Sequence, residues 1–478
     1  MTDSSFIRSE MLQPQIPPVS ERGIVKWLRE NLFSGVLNSI LTVVAIIALY
    51  FALSYSLPWV LNGVWDAGSL DDCRAILAAR GEDAVGACWA VLSRWNQFIY
   101  GFYPVELYWR PTLAAALLIV ALAPVLYFGQ RKANLVIVGA VGVLLVVALV
   151  AMGMETRALL MVTVLMGHLA IVAWVAPRQL LWVTLLFPAS GFFLLWGGSI
   201  WGPIGAMAGF ALFYLVATRL QGTFGVAVAA GLGLIEAAIW WLLLQAHVTE
   251  LLHHAFPVML EPVDSDQFGG FLLAFVIGVT AIAASLPIGI VLALGRRSDM
   301  PLIKMICVGF IEFVRGVPLI TMLFTASLLL QYFLPPQTNF DLILRVIILV
   351  TLFAAAYIAE VVRGGLAALP RGQYEAADAL GLDYWQAQRL IILPQALKIS
   401  IPGIVSSFIG LFKDTTLVAL VGLADPLQGI RKIVLADTDW KGIYWEPFIF
   451  VGCIFFVVCF SMSRYSMYLE QKLKTDHR

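Results

Sequence analysis

Charge is what this chain has least of. Lys and Arg together number 30 and Asp and Glu 30 in 478 residues, so 13% of positions are charged and the formal net charge is zero. With 61% hydrophobic residues and a mean hydropathy of +0.89, that scarcity excludes an ordinary soluble fold. A balanced net charge gives no bulk attraction for nucleic acid or for an acidic partner. Cysteine is equally sparse. There are five, and none falls in a C-x-x-C or Cys/His cluster, so the sequence signs of a metal centre are missing. No G-x-x-x-x-G-K-[ST] loop is present to hold nucleotide phosphates. His/Asp/Glu or Ser/His groupings at catalytic spacing are also missing, which argues against a membrane enzyme. No internal repeat or low-complexity tract is found, and repeated halves are the usual mark of a stand-alone secondary transporter.

What the sequence does hold is a series of apolar runs, each about 20 residues long, the length needed to cross a bilayer as a helix. They lie near Leu32 to Leu53, Thr112 to Phe128, Asn134 to Gly153, Ala158 to Pro177, Gln179 to Gly197 and Pro203 to Thr218. Further runs lie near Phe224 to Leu244, Gly270 to Leu294, Cys307 to Phe333, Leu342 to Ala359, Leu397 to Phe412 and Trp445 to Met467. The expected fold is an all-α polytopic membrane protein of about 12 transmembrane helices. Arg131, Lys132, Arg178, Arg219, Arg296 and Arg297 fall in alternate loops, which the positive-inside rule places in the cytoplasm together with both termini.

Composition divides the chain into a polar tail at 1–31, a helical block at 32–248 with an outside loop at 62–110, a linker at 249–269 and a second block at 270–478. The linker is the one long acidic, Pro- and Gly-punctuated break. In the outside loop, "RWNQFIYGFYPVELYW" reads as an aromatic belt at the membrane interface. Cys73 and Cys88 lie in the same loop. A disulfide there would close about 15 residues and add on the order of 3 kcal/mol in the chain-entropy model, while two buried free thiols are the alternative.

One stretch breaks the apolar rule. "GQYEAADALGLDYWQAQRLIILP" carries Glu375, Asp378, Asp383 and Arg389 on what the charge pattern makes the cytoplasmic side. Pro370 opens a short helix, and Gly381 ends it in the left-handed conformation. Asp383 with Gln386 forms a capping box for a second helix, and Pro394 opens a membrane span. Ala376, Ala377 and Leu380 give the first helix a small apolar face suited to a groove on another protein; an ordinary amphipathic loop helix is the plainer reading.

Elsewhere in the second block, Glu312 with Arg315 and Glu360 with Arg363 stand at i, i+3 spacing, as structural ion pairs at the ends of spans. Lys413, Asp414, Thr415 and Thr416 interrupt an apolar run. An interrupted span frees backbone groups, and with polar side chains beside it can form a site for a zwitterionic solute; the plainer reading is the outer end of a helix. Glu236 is expected to face other helices, and His168 to be a satisfied core residue.

The spacing E-A-A, three residues, G, nine residues, I-x-L-P is matched by Glu375, Ala376, Ala377, Gly381, Ile391, Leu393 and Pro394. This resembles the EAA loop of importer-type ABC-transporter permeases. "FIEFVRGVPL", "YIAEVVRGGLAALPRG" and "FIGLFKDTTLVALVGL" are similar to the polar-amino-acid permeases. "CRAILAARGEDAVGACWAV" resembles the longer M-type subunit of general L-amino-acid importers, the Aap and Bzt systems. The resemblance implies a type I importer core of about five helices in 270–478 and ATPase coupling through Glu375 to Pro394, with Leu380 on the docking face. It also implies a pathway along Lys413 to Thr416 and no cofactor on this chain, ATP and magnesium being bound by a cytosolic ATPase dimer. A periplasmic amino-acid-binding protein and a second permease subunit complete the expected assembly, in a bacterial inner membrane. A stand-alone amino-acid transporter is the alternative function.

Overall fold

The computed structural model describes residues 23–81, 85–329, 332, 341–434 and 436–473. Among them, 11 helices are long and apolar enough to cross a membrane. The chain forms two compact units, one of 1–92 with 439–446, the other of 93–438 with 447–478.

The first unit holds α1 (Gly23–Asn31), α2 (Val36–Leu61) and α3 (Leu70–Arg80). No residue of α2 is buried by protein, as expected of a helix whose solvent is lipid. Its extramembrane part has a small core of Val64, Leu70, Leu77, Trp89, Val91, Trp440 and Ile443. Ser69 caps α3 by accepting from the Asp72 N–H. Cys73 and Cys88 are joined by a disulfide with Cα atoms 6.0 Å apart. The buried Glu446 carboxylate accepts from the Cys88 N–H at 2.7 Å.

The second unit starts with α4 (Trp95–Tyr100) and continues through α5 (Trp109–Leu126), α6 (Arg131–Ala151), α7 (Thr156–Val175) and α8 (Leu181–Trp196). Val120, Val138, Leu145, Leu149, Met166, Leu169 and Ala173 form the seam joining α5, α6 and α7. Next come α9 (Trp201–Phe224), α10 (Val226–Ile239) and α11 (Gln245–Ala255), the last two continuous through a π-helical turn at Trp240–Leu244. Trp240 and Trp241 donate from that turn to the Gly205 and Ala206 carbonyls on α9. A two-stranded ladder pairs β1 (Gly198–Ser199) with β2 (Met259–Leu260), and beyond it Val263 and Phe268 are buried. The aromatic run read as an interfacial belt is instead largely internal. Phe98, Tyr100, Tyr103 and Tyr108 are buried, and the Tyr103 hydroxyl donates to the Leu195 carbonyl at 2.8 Å. Burial pushes the Tyr103 phenol up to about 12. His168 is exposed on α7 rather than in the core, and Glu236 is partly buried with Oε2 unpartnered.

The remainder of the unit is built on α12 (Gly270–Arg296), α13 (Pro301–Gly316), α14 (Leu319–Phe324), α15 (Leu342–Ala368), α16 (Arg371–Ala379), α17 (Tyr384–Ala387), α18 (Leu393–Asp414), α19 (Pro426–Gly429) and α20 (Trp445–Leu473). α12 packs on α15, and α15 on α18. Small residues make these contacts close: a Cβ at Gly289 would meet Ile358, and one at Gly365 would meet the Ser400 hydroxyl and the Ala396 carbonyl.

One expected span is redrawn. The run Cys307 to Phe333 is not a single helix, because α13 ends at Gly316 and Val317 is extended at φ −104° and ψ 131°. Pro318 enforces this, since its ring disfavours helical backbone in the residue before it. A new helix starts at Leu319. Residues 330, 331 and 333 of the run lie outside the described residues.

Candidate functional site

The charged stretch folds as a helix, a corner and a second helix. α16 ends in a Schellman motif: the Gly381 N–H donates to the Asp378 carbonyl at 2.9 Å and the Leu382 N–H to the Ala377 carbonyl at 3.3 Å. Gly381 has φ +67°, a region that favours glycine. Asp383 accepts from the Gln386 N–H at 2.8 Å while Gln386 Oε1 accepts from the Asp383 N–H at 3.2 Å, a complete capping box.

From there the chain does not stop before Pro394. α17 runs into α18 through a π-helical turn at Gln388–Ile392. Proline at 394 has no N–H to give the helical ladder, and the widened turn lies directly before it. The second short helix and the membrane span are therefore one rod. Ile391, Ile392 and Leu393 join the core under it, with Leu366 and Ala396.

α16 is held by one face and presents the other. Ala377 is 1% exposed, Tyr374 packs into the same core, and Gln395 Nε2 donates to Gln373 Oε1 at 2.9 Å. Ala377 thus turns inward, away from Ala376 and Leu380, which the sequence placed on one face with it. Glu375, Ala376 and Leu380 point outward, Leu380 at 71% exposure. Tyr384, Trp385 and Leu390 extend the exposed apolar surface beyond the corner. An exposed apolar patch rimmed by Glu375, Asp378, Asp383 and Arg389 has the composition of a protein-docking face.

The interrupted run is a change of helix type. α18 ends at Asp414, a 3-10 helix follows over Thr415–Val421, and Gly422 turns the chain at φ +97°. Lys413 is exposed and Asp414 half-buried. Thr415 is fully buried, its hydroxyl donating to the Phe412 carbonyl at 2.8 Å; Thr416 donates to the Lys413 carbonyl at 2.9 Å. Both threonines thus satisfy their hydroxyls on the backbone, and the two charged side chains alone are left open. Beyond the turn, Asp425 is fully buried and caps α19 by accepting from the Leu427 and Gln428 N–H groups. Burial pushes its carboxyl up to about 6, against those two hydrogen bonds and the charges of Arg431 and Lys432. Sequence reasoning passed over Asp425, although Asp-Pro at a helix start is a readable cap signal.

The ion pairs are rearranged from the local spacing. Glu312 pairs with Arg296 at 2.8 Å, not with Arg315, which lies 3.5 Å from Glu360. Glu360 also meets Arg296 at 2.7 Å and Arg363 at 3.0 Å. The i, i+3 reading missed Arg296 because it lies on a different helix.

Residues 285–475 match the family described as the inner membrane component of binding-protein-dependent transport systems. The chain is 61% identical over 480 residues to the glutamate/glutamine/aspartate/asparagine transport system permease protein BztC of Rhodobacter capsulatus, covering all of both chains. It is 35% identical to the inner membrane amino-acid ABC transporter permease protein YhdY of Escherichia coli K12, over 95% of this chain and 94% of that one. The glutamate/aspartate import permease protein GltK of Escherichia coli is 32% identical over 209 residues, 42% of this chain but 91% of that protein.

The chain belongs to the amino-acid ABC transporter permeases. Such a permease is a membrane-spanning subunit of an ATP-driven importer and not itself an enzyme; hydrolysis belongs to a separate ATPase, and substrate arrives on a binding protein. In this permease the family match falls on the part built from α12 to α20, while α1 to α11 precede it. The E-A-A spacing and the short helix α16 fit the family.

Proposed function

We propose that this permease carries acidic amino acids and their amides, the substrates in the name of its 61%-identical relative. The observation that supports an ATP-coupled pore most directly is α16, anchored by Ala377 and Tyr374 and offering Glu375, Ala376 and Leu380 outward. In this reading α16 enters a groove on the ATPase, and Gly381, Ile391, Leu393 and Pro394 fix its angle to the membrane rod. ATP and magnesium bind to the ATPase and no cofactor to this chain. Lys413 and Asp414 face the substrate pathway, a cation and an anion matching the two charges of a zwitterion, and Thr415 and Thr416 hold the helix break beneath them. Both termini lie in the cytoplasm, 249–269 on the periplasmic side, and 270–478 is the permease core. A second, different permease chain of the Q type completes the pore.

The test is uptake by the complex reconstituted with its binding protein and a panel of radiolabelled L-amino acids. Uptake of glutamate, glutamine, aspartate and asparagine is expected. Uptake confined to another substrate class overturns the specificity, and a purified complex with this chain as its one permease type overturns the heteromeric pore.

A further inference from the structure

Three arginines and two glutamates meet where α12, α13 and α15 come together. Arg296, the last residue of α12, has Nη1 2.8 Å from Glu312 Oε1 on α13 and 2.7 Å from Glu360 Oε1 on α15. The hydrogen bond goes to Glu312. Glu360 Oε1 is left buried with a charge contact but no aligned donor. Its other oxygen, Oε2, takes Arg363 Nε at 3.0 Å and stands 3.5 Å from Arg315 Nη1. The Arg315 guanidinium also lies 5.6 Å over the Tyr357 ring.

The next residue reaches α16. Arg297 Nη1 donates to the Tyr374 hydroxyl at 3.0 Å, with its guanidinium 5.6 Å over the same ring, and that hydroxyl donates to the Leu366 carbonyl of α15 at 3.4 Å. Two consecutive residues at the end of α12 thus hold α16 on one side and the charge cluster on the other.

The cluster has a hub with partners to spare. Glu360 meets three guanidinium groups and keeps at least two whichever arginine moves away, whereas Glu312, among the described residues, meets Arg296 alone. Glu312 is more than half exposed and loses little when Arg296 leaves it to water. A shift of α12 that withdraws Arg296 therefore leaves the mostly buried Glu360 with Arg315 and Arg363, and strands no buried carboxylate. Removing a buried carboxylate's last partner is strongly unfavourable. A hub carboxylate that three arginines share avoids that cost when one helix moves, which is what an element passing between two arrangements needs.

We propose that this cluster is the joint through which movement of α16 passes to α12 and α13. Glu360 is its central positioning residue, and Arg297 with Tyr374 is the link to α16. The proposal rests on the reading of α16 as the ATPase-docking helix.

The test uses the complete complex in lipid nanodiscs, with ATPase and binding protein. Three quantities are measured: ATPase recovered with the permease, hydrolysis without binding protein, and stimulation by substrate-loaded binding protein. Glu360→Gln and Arg297→Gln are expected to leave the first two unchanged. Stimulation should drop about tenfold for Glu360→Gln, which loses a charged hub, and about fivefold for Arg297→Gln, which loses one hydrogen bond and a ring contact. Arg297→Lys, which keeps a charged donor for Tyr374, should recover most of it. Where Glu360→Gln fails to reach the membrane, the exposed Arg297 decides alone. Stimulation within about twofold of wild type in Arg297→Gln overturns the proposal. So does loss of the ATPase from that variant, because Arg297 would then hold a docking pose rather than pass on motion. Leu380→Asp serves as the separate control: if it keeps its ATPase, the reading of α16 fails whatever Arg297 does.

Discussion

At Gly381 the backbone has φ +67°, and a Cβ built there would meet nothing within 4 Å. Space is therefore no obstacle, and the cost of a side chain is conformational, about 1 to 2 kcal/mol for an L-residue in the left-handed region. Since α16 is only nine residues long, that strain is most cheaply relieved by turning the helix end. Gly381→Val is expected to reach the membrane normally but to recover about tenfold less ATPase on co-purification; wild-type recovery would refute the role of this corner. Asp425 gives a pH prediction. Its carboxyl titrates near 6 in the fold and near 3.8 otherwise, so between those values the folded state binds more protons than the unfolded one. Stability therefore falls as pH rises from about 4 to about 6 and is level above. Asp425→Asn keeps an oxygen for the Gln428 N–H and loses the charge, so its melting temperature should be flat over that window and higher than wild type at pH 7. A parallel fall in both proteins would exclude Asp425 as the source. The corner and the capping box were legible because both depend on residues a few positions apart. The inward turn of Ala377 was not, because which side of a nine-residue helix meets protein depends on Tyr374 and the distant Ile392 core.

Among the elements, the seam between α15 and α18 is the one most dependent on size. A Cβ at Gly365 would collide with the Ser400 hydroxyl and the Ala396 carbonyl, and backbone cannot rotate out of the way. Gly365→Val is expected to force the helices apart at a cost of about 1 to 3 kcal/mol or more, read as a lower melting temperature of the solubilised permease. A Cβ at Gly364, beside it, would meet no atom within 4 Å, so Gly364→Ala, which gains helix propensity, should melt no lower than wild type. An equal loss at 364 and 365 would show that the seam is not responsible, since helix propensity alone favours alanine at 364. Hydropathy was enough to find most of the spans, because lipid demands about 20 apolar residues from any crossing helix. It overran at Cys307 to Phe333, where composition stays apolar across Gly316–Pro318 and the proline's effect on Val317 carries the boundary. The ion cluster was half legible. Glu360 and Arg363 are neighbours on one helix, whereas the arginine that Glu312 takes comes from α12, and periodicity within α13 holds no trace of it.

Taken as a molecule, the chain has two units with unequal means of holding together. The second buries long helices against one another in several clusters. The extramembrane part of the first has a small core around Leu70, Leu77 and Trp89, and is stitched by hydrogen bonds from Leu70 N–H to the Asp439 carbonyl and from Cys88 N–H to Glu446. A core that small gains proportionally more from a cross-link. The Cys73–Cys88 bridge closes 15 residues, worth about 3 kcal/mol through the restricted unfolded state. Replacing both cysteines by serine adds a second penalty, since Cys73 is fully buried and Cys88 nearly so, and two hydroxyls would need partners there. The double variant should make Arg74 and Arg80, exposed side chains on the folded α3, easier for trypsin to cut in the solubilised permease. Cleavage there should be at least about tenfold faster than in wild type, as expected when local opening becomes easier by more than about 1.4 kcal/mol. The melting transition of the second unit should stay in place, because its cores include neither cysteine. Cleavage at the wild-type rate would mean that the hydrogen bonds to Asp439 and Glu446 hold α3 without the bridge. A matching loss in the second unit's melting temperature would mean that the two do not unfold separately.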